Sequence, residues 1–205
     1  PGELAFEIRQ LGERIARSDL QPTDYGDESD TGLELNPHVT ILYGLHTDNG
    51  EELRPLISAT GPIAIQLDKV SVFHADMSTP ATKDKPKYDV VKIDVISEGL
   101  HKLHHALKKH FEHTSTYPDF KPHITIGYVK PGLGEHYAKR LNDLQGKVAV
   151  FDRLIFSNKH REHHPIQLTG QAQFGEEEHD GDKHFSDAAL KIAKNQGSKS
   201  REILT

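Results

Sequence analysis

The sequence contains no cysteine, and this absence excludes disulfides, thiolate nucleophiles and thiolate metal sites. A chain without disulfides fits a reducing compartment, so we expect a cytoplasmic protein. Long apolar runs are also absent, because the longest span only a few residues. A membrane-spanning helix needs about 20 consecutive apolar residues. We therefore expect no membrane partner.

The sequence also lacks an excess of positive charge. It has 25 Lys and Arg residues against 31 Asp and Glu residues, so the formal net charge is −6. A protein that binds long nucleic acid through its phosphates needs an excess of positive charge. We therefore expect no long nucleic acid as a partner. A small substrate that contains phosphate remains compatible with this charge, provided that it is bound locally.

One heptapeptide occurs twice in the chain. Residues 37–43 read PHVTILY and residues 122–128 read PHITIGY, so five of the seven positions are identical. In each copy, Val or Ile, Ile and Tyr alternate with His, Thr and a third residue. This period of two predicts a strand with one buried face in each copy.

The polar face of each predicted strand carries an imidazole and a hydroxyl. His38 and Thr40 would point the same way about 7 Å apart, at ~3.3 Å per residue, as would His123 and Thr125. A single such pair needs no explanation, but the same pair in both copies indicates a function. We predict these four residues to be catalytic.

Two facing His-Thr pairs suit the chemistry of a phosphodiester. One neutral His would take a proton from water or a ribose hydroxyl, and the other, protonated, would give a proton to the leaving oxygen. The Thr hydroxyls would donate hydrogen bonds to the non-bridging oxygens as the phosphorus becomes five-coordinate. These groups already cover the proton and charge roles, so we expect no metal and no cofactor.

Other positions of the heptapeptides carry weaker predictions. Gly127 would share the face of His123 and leave room for a ligand, although Leu42 at the corresponding position does not. Tyr43 and Tyr128 would share the buried faces, so we expect them in the core first.

The order of predicted elements indicates an α+β fold. Each His-Thr strand is followed by a helix and then by strands, so we expect two lobes related by a pseudo-twofold axis, with the His-Thr faces meeting in a cleft. The predicted helices span 4–17, about 50–59, 97–111 and about 135–145. The predicted strands span 37–43, 62–74, 88–95, 122–128, 147–157 and 163–169, of which 62–74 and 147–157 could each be one strand or two.

The composition changes at residue 171, where apolar residues become scarce and an acidic run begins. We therefore predict one domain over residues 1–170. Residues 171–205 would form an acidic linker and a tail, with a short helix over 186–194, that could connect to another domain.

Aromatic and basic residues near the two strands are candidates for holding the substrate. Aromatic rings can stack on a base, and lysines can bind a phosphate, although solvated loop residues are an equally good interpretation of the lysines. The candidates are Tyr25, Tyr117 and Phe120 for stacking, and Lys121, Lys83, Lys85 and Lys87 for the phosphate.

Two groups of histidines have spacings of i, i+3 and i+4, which on a helix can bind zinc. The first group is His101, His104 and His105, and the second is His160, His163 and His164. Neither group has an obvious carboxylate that completes a known pattern. We therefore expect both to lie on solvated polar faces and expect no metal site.

The chain has two His-x-Thr motifs about half a domain apart, and each is preceded by Pro. In this respect it resembles the 2H phosphoesterase superfamily. That superfamily includes 2′,5′ RNA ligase-like enzymes and cyclic phosphodiesterases. The resemblance covers residues 30–170. It implies a bilobal α+β fold of two pseudo-symmetric antiparallel sheets with flanking helices around a central cleft. It also implies metal-independent chemistry on 2′,3′-cyclic, 2′,5′- or related phosphodiesters, with catalysis by the four His and Thr residues.

The context of the first motif, TGLELNP before it and Tyr43-Gly44 at its end, is similar to a phage-type branch of this superfamily. That branch contains anti-CBASS proteins, which destroy cyclic oligonucleotide signals. The expected partner is thus a small nucleotide or a short or cyclic oligonucleotide. Two alternatives remain open: a module of the same fold that binds nucleotides or RNA ends without cleaving them, and a 2′,5′ RNA ligase.

Overall fold

The structure, a computed structural model, describes residues 2–23, 31–82, 86–115 and 119–170. The predictions for the tail over 171–205 lie outside these residues, and the extent of the domain stays a prediction. None of the helices in the described ranges is long and apolar enough to cross a membrane.

Helices and strands both occur within the described ranges. The helices are α1 (Glu3–Glu13), α2 (Gly50–Ala59), α3 (Glu98–His110) and α4 (Gly134–Ala138), and the strands are β1 (Ile63–Phe73), β2 (Asp89–Ile96), β3 (His123–Val129), β4 (Val148–Phe151), β5 (Arg153–Ser157) and β6 (His163–Gln167). The sequence predicts each of these elements within a few residues, except that α1 and α4 are shorter than expected.

The strands form two sheets. The larger sheet has the order β3-β2-β1-β4, and β5 pairs with β6 in the second. The β2–β3, β1–β4 and β5–β6 pairs are antiparallel. The predicted α+β fold of antiparallel sheets with flanking helices is therefore confirmed. Residues 37–43 form no strand, so the prediction of a strand is right for the second heptapeptide and wrong for the first.

The chain divides into two compact units. The first contains the residues up to Val39 together with Leu67–Val95 and His123–Lys147, and the second contains Thr40–Gln66, Ile96–Pro122 and the residues from Val148. Each heptapeptide contains a boundary, because one falls after Val39 and another before His123.

In the first unit, α1 packs on β3. Leu4, Ile8 and Leu11 recur at helical spacing and are at most 5% exposed. Burying each of these side chains contributes about 1.5–3 kcal/mol. The helix comes close to the strand at Gly12, where a Cβ would lie 3.3 Å from the Ile126 carbonyl oxygen. A glycine allows this approach.

The end of α4 shows why that helix is shorter than the predicted span of 135–145. The side chain of Asn142 donates to the Ala138 carbonyl at 2.6 Å and accepts from the Val70 amide at 2.7 Å. Such a side chain competes with the backbone for hydrogen bonds and favours the end of a helix. The same residue thereby connects the chain after α4 to β1.

In the second unit, side-chain caps begin two of the helices. Asn49 accepts from the Glu51 amide at 3.1 Å to start α2, and Ser97 accepts from the Leu100 amide at 3.2 Å to start α3. The Ser97 hydroxyl also donates to the Ala64 carbonyl at 2.7 Å, which connects α3 to β1. The predicted starts of these two helices, at about residue 50 and at residue 97, are therefore confirmed.

Candidate active site

The second heptapeptide places His123 and Thr125 on one face of β3. Both residues are half-buried, whereas Ile124 and Ile126 on the opposite face are 0% and 1% exposed. The predicted alternation is therefore confirmed over these four residues. The strand presents an imidazole and a hydroxyl on the same side, as the sequence pattern indicates.

A β-bulge interrupts the alternation at Ile126. Val91 of β2 pairs with Gly127, and the next residue, Lys92, pairs with Thr125, so Ile126 has no partner across this ladder. The extra residue reverses the direction of the side chains that follow. Gly127 is consequently buried together with Ile126, off the half-buried face of β3.

The space that Gly127 leaves is filled by the protein itself. A Cβ at this position would lie 3.1 Å from the Gly32 carbonyl oxygen and 3.4 and 3.5 Å from the side chains of Ile15 and Leu33. The prediction that Gly127 shares the face of His123 and makes room for a ligand is therefore wrong. The glycine instead allows the backbone near residue 32 to approach β3.

The two tyrosines also differ from expectation. Because of the bulge, Tyr128 lies off the buried face of β3, is half-buried, and meets the ring of Tyr88 edge-on with centroids 5.1 Å apart. Tyr43 is 70% exposed, because the first heptapeptide is not a strand. The predicted core position is wrong for both residues.

Two charged residues of β2 share the face of His123 and Thr125. Lys92 lies opposite Thr125 and Asp94 lies opposite His123 in the antiparallel register, and opposed residues point to the same face. Lys92 Nζ donates to Asp94 Oδ1 at 2.5 Å and to Ser71 Oγ at 2.7 Å. Sequence reasoning missed this group, although charged residues that alternate with Val and Ile in β2 were its signal.

Phe73, at the end of β1, contacts both His123 and Lys92. Its ring meets the His123 ring edge-on, with centroids 5.0 Å apart and planes at 87°. Lys92 Nζ lies 4.2 Å from the centroid of the same phenyl ring, a cation–π arrangement. Phe73 therefore restricts the positions of the imidazole and of the ammonium group at once.

The residues before the first heptapeptide pair with the free edge of β3. The Tyr128 amide donates to the Gly32 carbonyl at 2.7 Å, and the Glu34 amide donates to the Ile126 carbonyl at 3.1 Å. The bridge between these bonds is antiparallel. β3 is thus paired on one edge with β2 and on the other with residues 32–34.

This ladder sets the direction of the chain toward His38. Because the pairing is antiparallel, the chain leaves Glu34 toward the His123 end of β3. His38 follows Glu34 by four residues, so their Cα atoms lie within about 14 Å of each other. His38 and His123 belong to the same compact unit.

The ring of His38 is exposed and has a defined hydrogen bond. Its Nδ1 lies 2.7 Å from the Asn36 carbonyl oxygen. Since a carbonyl oxygen only accepts, Nδ1 must carry the proton and donate. In the neutral ring, Nε2 then has the lone pair and can accept a proton.

The chain just after Thr40 is held by a histidine of α3. His104 Nδ1 lies 2.7 Å from the Ile41 carbonyl oxygen, and His104 is only 9% exposed. The expectation of a solvated polar face is therefore wrong for His104. Phe120 stacks on His104, with centroids 4.2 Å apart, and its stacking on a base stays a prediction.

The remaining predicted substrate contacts are scattered. Lys121 is exposed, and Lys87 is half-buried and donates to Thr79 Oγ1 at 2.8 Å. The structure gives neither lysine a role in binding phosphate, so both stay predictions. Four further candidates lie outside the described residues: Tyr25, Tyr117, Lys83 and Lys85.

The second histidine group does not lie on a helix. His163 and His164 are neighbours in β6, so helical spacing does not describe their positions. In the part of the chain that the structure describes, no group of three His, Asp or Glu residues comes together in a way that could hold a metal ion.

A comparison with known families now identifies the fold family. The family model of the 2′-5′ RNA ligase superfamily matches residues 10–156. The chain belongs to this superfamily. No curated protein matches the chain.

Membership in the 2′-5′ RNA ligase superfamily confirms the resemblance predicted from the two His-x-Thr motifs. The matched residues include both motifs and run from α1 into β5. The match begins before the predicted start of the resemblance at residue 30 and so includes the end of α1, the helix that packs on the strand with the second motif. The placement in a phage-type branch stays a prediction.

Proposed function

We propose that the protein is a metal-independent phosphodiesterase that cleaves a small nucleotide or a short oligonucleotide, with His38, Thr40, His123 and Thr125 as its catalytic residues. The observation that carries this proposal is the ladder between residues 32–34 and β3. It directs the first motif toward the end of the strand where His123 lies. The superfamily match over residues 10–156 supports the same reaction class.

In the proposed reaction, His38 is the general base and His123 is the general acid. His38 Nε2 takes the proton from water or a ribose hydroxyl while that oxygen forms a bond to phosphorus. The bond from phosphorus to the leaving oxygen then breaks, and His123 gives that oxygen a proton. His38 ends protonated and His123 neutral, and exchange with solvent restores both.

The hydrogen bond of His38 supports its assignment as the base. With Nδ1 donating to the Asn36 carbonyl, the proton acceptor of the neutral ring is Nε2. The carbonyl also fixes the ring, which lowers the cost of aligning it with the substrate. Donation from the hydroxyls of Thr40 and Thr125 to the non-bridging oxygens would stabilise the five-coordinate phosphorus.

The charge of the protein favours a small substrate. A net charge of −6 opposes contacts with many phosphates along an extended strand. The candidate substrates are 2′,3′-cyclic nucleotides, linear 2′,5′-oligonucleotides and cyclic di- or trinucleotides. The third group would follow from the likeness of the first motif's context to the phage-type branch.

The test is product analysis by mass spectrometry after incubation with each candidate substrate in EDTA. We expect cleavage of at least one substrate, and a loss of about 10²–10⁴-fold for His38→Ala and for His123→Ala. His46→Ala is the matched control, because His46 is an exposed histidine outside the motif. Undiminished cleavage by the double variant of His38 and His123 would refute the proposal.

A second experiment tests which histidine is the acid. Sulfur in place of the leaving oxygen gives a leaving group that needs no proton, so the sulfur-substituted substrate should restore the rate of His123→Ala. It should not restore the rate of His38→Ala, because the nucleophile still needs a base. Rescue of His38→Ala instead would reverse the two assignments.

Ligation is the second candidate reaction, because the superfamily is described by that activity. The same residues can catalyse the reverse reaction, in which a hydroxyl attacks a cyclic phosphate. Incubation of RNA fragments with 2′,3′-cyclic phosphate and 5′-hydroxyl ends would give a longer product if ligation dominates. Retention of ligand with no change of mass would favour a binding module.

A further inference from the structure

His104 makes a contact that the other α3 histidines with a comparable hydrogen bond do not make. His105 and His110 each place Nδ1 near a carbonyl four residues earlier in their own helix, at 2.7 and 2.8 Å. His104 Nδ1 instead lies 2.7 Å from the Ile41 carbonyl oxygen, 63 residues away in the chain. Because a carbonyl accepts, Nδ1 is the donor and the tautomer of the neutral ring is fixed.

Within the described residues, the Ile41 carbonyl is bonded by a side chain and not by a neighbouring strand, because residues 37–43 form no strand. Further along the chain, the backbone is held by backbone bonds: the Thr114 amide donates to the Gly44 carbonyl at 2.9 Å, and the His46 amide donates to the Glu112 carbonyl at 3.0 Å. At Ile41 the donor to the carbonyl is the imidazole of His104 and not a backbone amide. This hydrogen bond is one residue away from Thr40.

The ring of His104 is itself held in a fixed orientation. It stacks on Phe120 with centroids 4.2 Å apart and planes at 3°, and the His101 ring meets Phe120 edge-on at 5.1 Å. His104 is 9% exposed, so few other orientations are open to it. Phe120 precedes His123 by three residues, so the imidazole contacts segments next to both motifs.

We propose that His104 is a positioning residue that holds the first motif in its active shape by donating from Nδ1 to the Ile41 carbonyl, with its ring plane set by Phe120. The inference rests on the proposed function for its effect on turnover. A small displacement of a catalytic group can lower a rate by about 10²-fold. His104 touches no substrate in this scheme and acts through the backbone of Thr40 and Ile41.

Two variants separate the hydrogen bond from the stacking. His104→Asn keeps a donor close to the position of Nδ1 and removes the ring, whereas His104→Phe keeps the ring and removes the donor. We expect His104→Phe to lower kcat by about 10–100-fold with a smaller change in KM, and His104→Asn to lose less. His105→Asn is the matched control, since His105 is exposed and its Nδ1 bonds to the His101 carbonyl of its own helix.

A measurement on the unmodified protein keeps the inference testable if a variant does not fold or no substrate is found. The nitrogen resonances of the His104 ring report which nitrogen carries the proton, and a coupling through the hydrogen bond connects Nδ1 to the Ile41 carbonyl carbon. We expect the Nδ1–H tautomer and the coupling. An Nε2–H tautomer with no coupling would overturn the inference.

Activity and spectra together distinguish the possible failures. An unmodified protein with the coupling but no turnover of any substrate would refute the proposed function and leave the hydrogen bond in place. An active protein in which His104→Phe matches the unmodified kcat would refute the positioning role alone. A low kcat in His104→Phe together with a nearly normal kcat in His104→Asn would support the positioning role. A general packing defect would lower kcat in both variants.

Discussion

Lys92 Nζ lies 2.5 Å from Asp94 Oδ1, on the strand face that also presents His123 and Thr125. The Lys92 side chain is 6% exposed and the Asp94 side chain is 30% exposed. The ammonium is thus almost completely removed from water, whereas the carboxylate keeps some contact with it. Because of this difference in exposure, removal of the carboxylate should destabilise the protein more than removal of the ammonium.

Asp94→Asn should destabilise the protein more than Lys92→Met. The first change leaves a buried ammonium that faces a neutral amide, the Ser71 hydroxyl and the Phe73 ring but no opposite charge, at a cost of about 2–4 kcal/mol. The second leaves a carboxylate that can still reach water, at a cost of about 1–2 kcal/mol. Urea denaturation of both variants measures these costs, and the reverse order would contradict the reasoning.

The double variant of Lys92 and Asp94 measures the coupling between the two side chains. Because the pair is in direct contact, the double variant should cost less than the sum of the two single changes. The control is the exposed pair of Arg54 and Glu51, whose side chains are 44% and 66% exposed. Charge removal there should change the free energy of unfolding by less than about 1 kcal/mol.

Gly127→Ala should lower both stability and activity. The new Cβ would lie 3.1 Å from the Gly32 carbonyl oxygen, so the ladder that leads to His38 must shift. We expect a loss of about 1–3 kcal/mol in urea denaturation together with a lower kcat, because overpacking costs this much and the shift moves the first motif.

Gly146→Ala is the control for that prediction. Gly146 has a φ of 84° and open space around its Cβ position, so alanine there introduces backbone strain of about 1–2 kcal/mol and no clash. It should lower stability without lowering kcat. Equal kcat values for the two variants would show that Gly127 has no connection to the first motif.

The two heptapeptides show what local sequence can predict. The alternation of His123, Ile124, Thr125 and Ile126 is a local property, and it is confirmed because β3 has partners on both edges. Nearly the same residues at 37–43 form no strand, since strand formation depends on a partner that the local pattern does not specify.

The bulge at Ile126 and the contact of His104 are two further features that the local sequence does not predict. The bulge at Ile126 depends on the register with β2, which one strand's sequence does not contain. His104, by contrast, falls on the helix face of Leu100, Leu103 and Leu107, and all four are buried. Its place among apolar residues was a sequence signal for burial, but the contact with Ile41 depends on the fold.

Removal of either threonine hydroxyl should slow the chemical step. Thr40→Val and Thr125→Val keep the shape of the side chain and remove the donor, so each should lower kcat by about 10²-fold. The serine variants keep a hydroxyl and should be close to normal. Single-turnover kinetics measures the effect, and a valine variant with normal kcat would exclude that hydroxyl from the reaction.

The stability of the protein should decrease as the pH falls below neutrality, in part because of His101. Burial lowers the pKa of His101, and the nearby imidazoles of His105 and His104 lower it further. The folded state therefore binds fewer protons than the unfolded state, whose histidine has an ordinary pKa of about 6.5. The contribution to stability is complete above this pKa and is lost as the pH falls through the lower folded value.

His101→Gln removes this titration, so its free energy of unfolding should depend less steeply on pH between about 7.5 and 5.5. Urea denaturation at several pH values measures both slopes. His110→Gln is the control, because His110 is an exposed residue at the end of the same helix. If His101→Gln keeps the slope of the unmodified protein, the protonation of His101 is not coupled to folding, and the acid sensitivity must come from other groups.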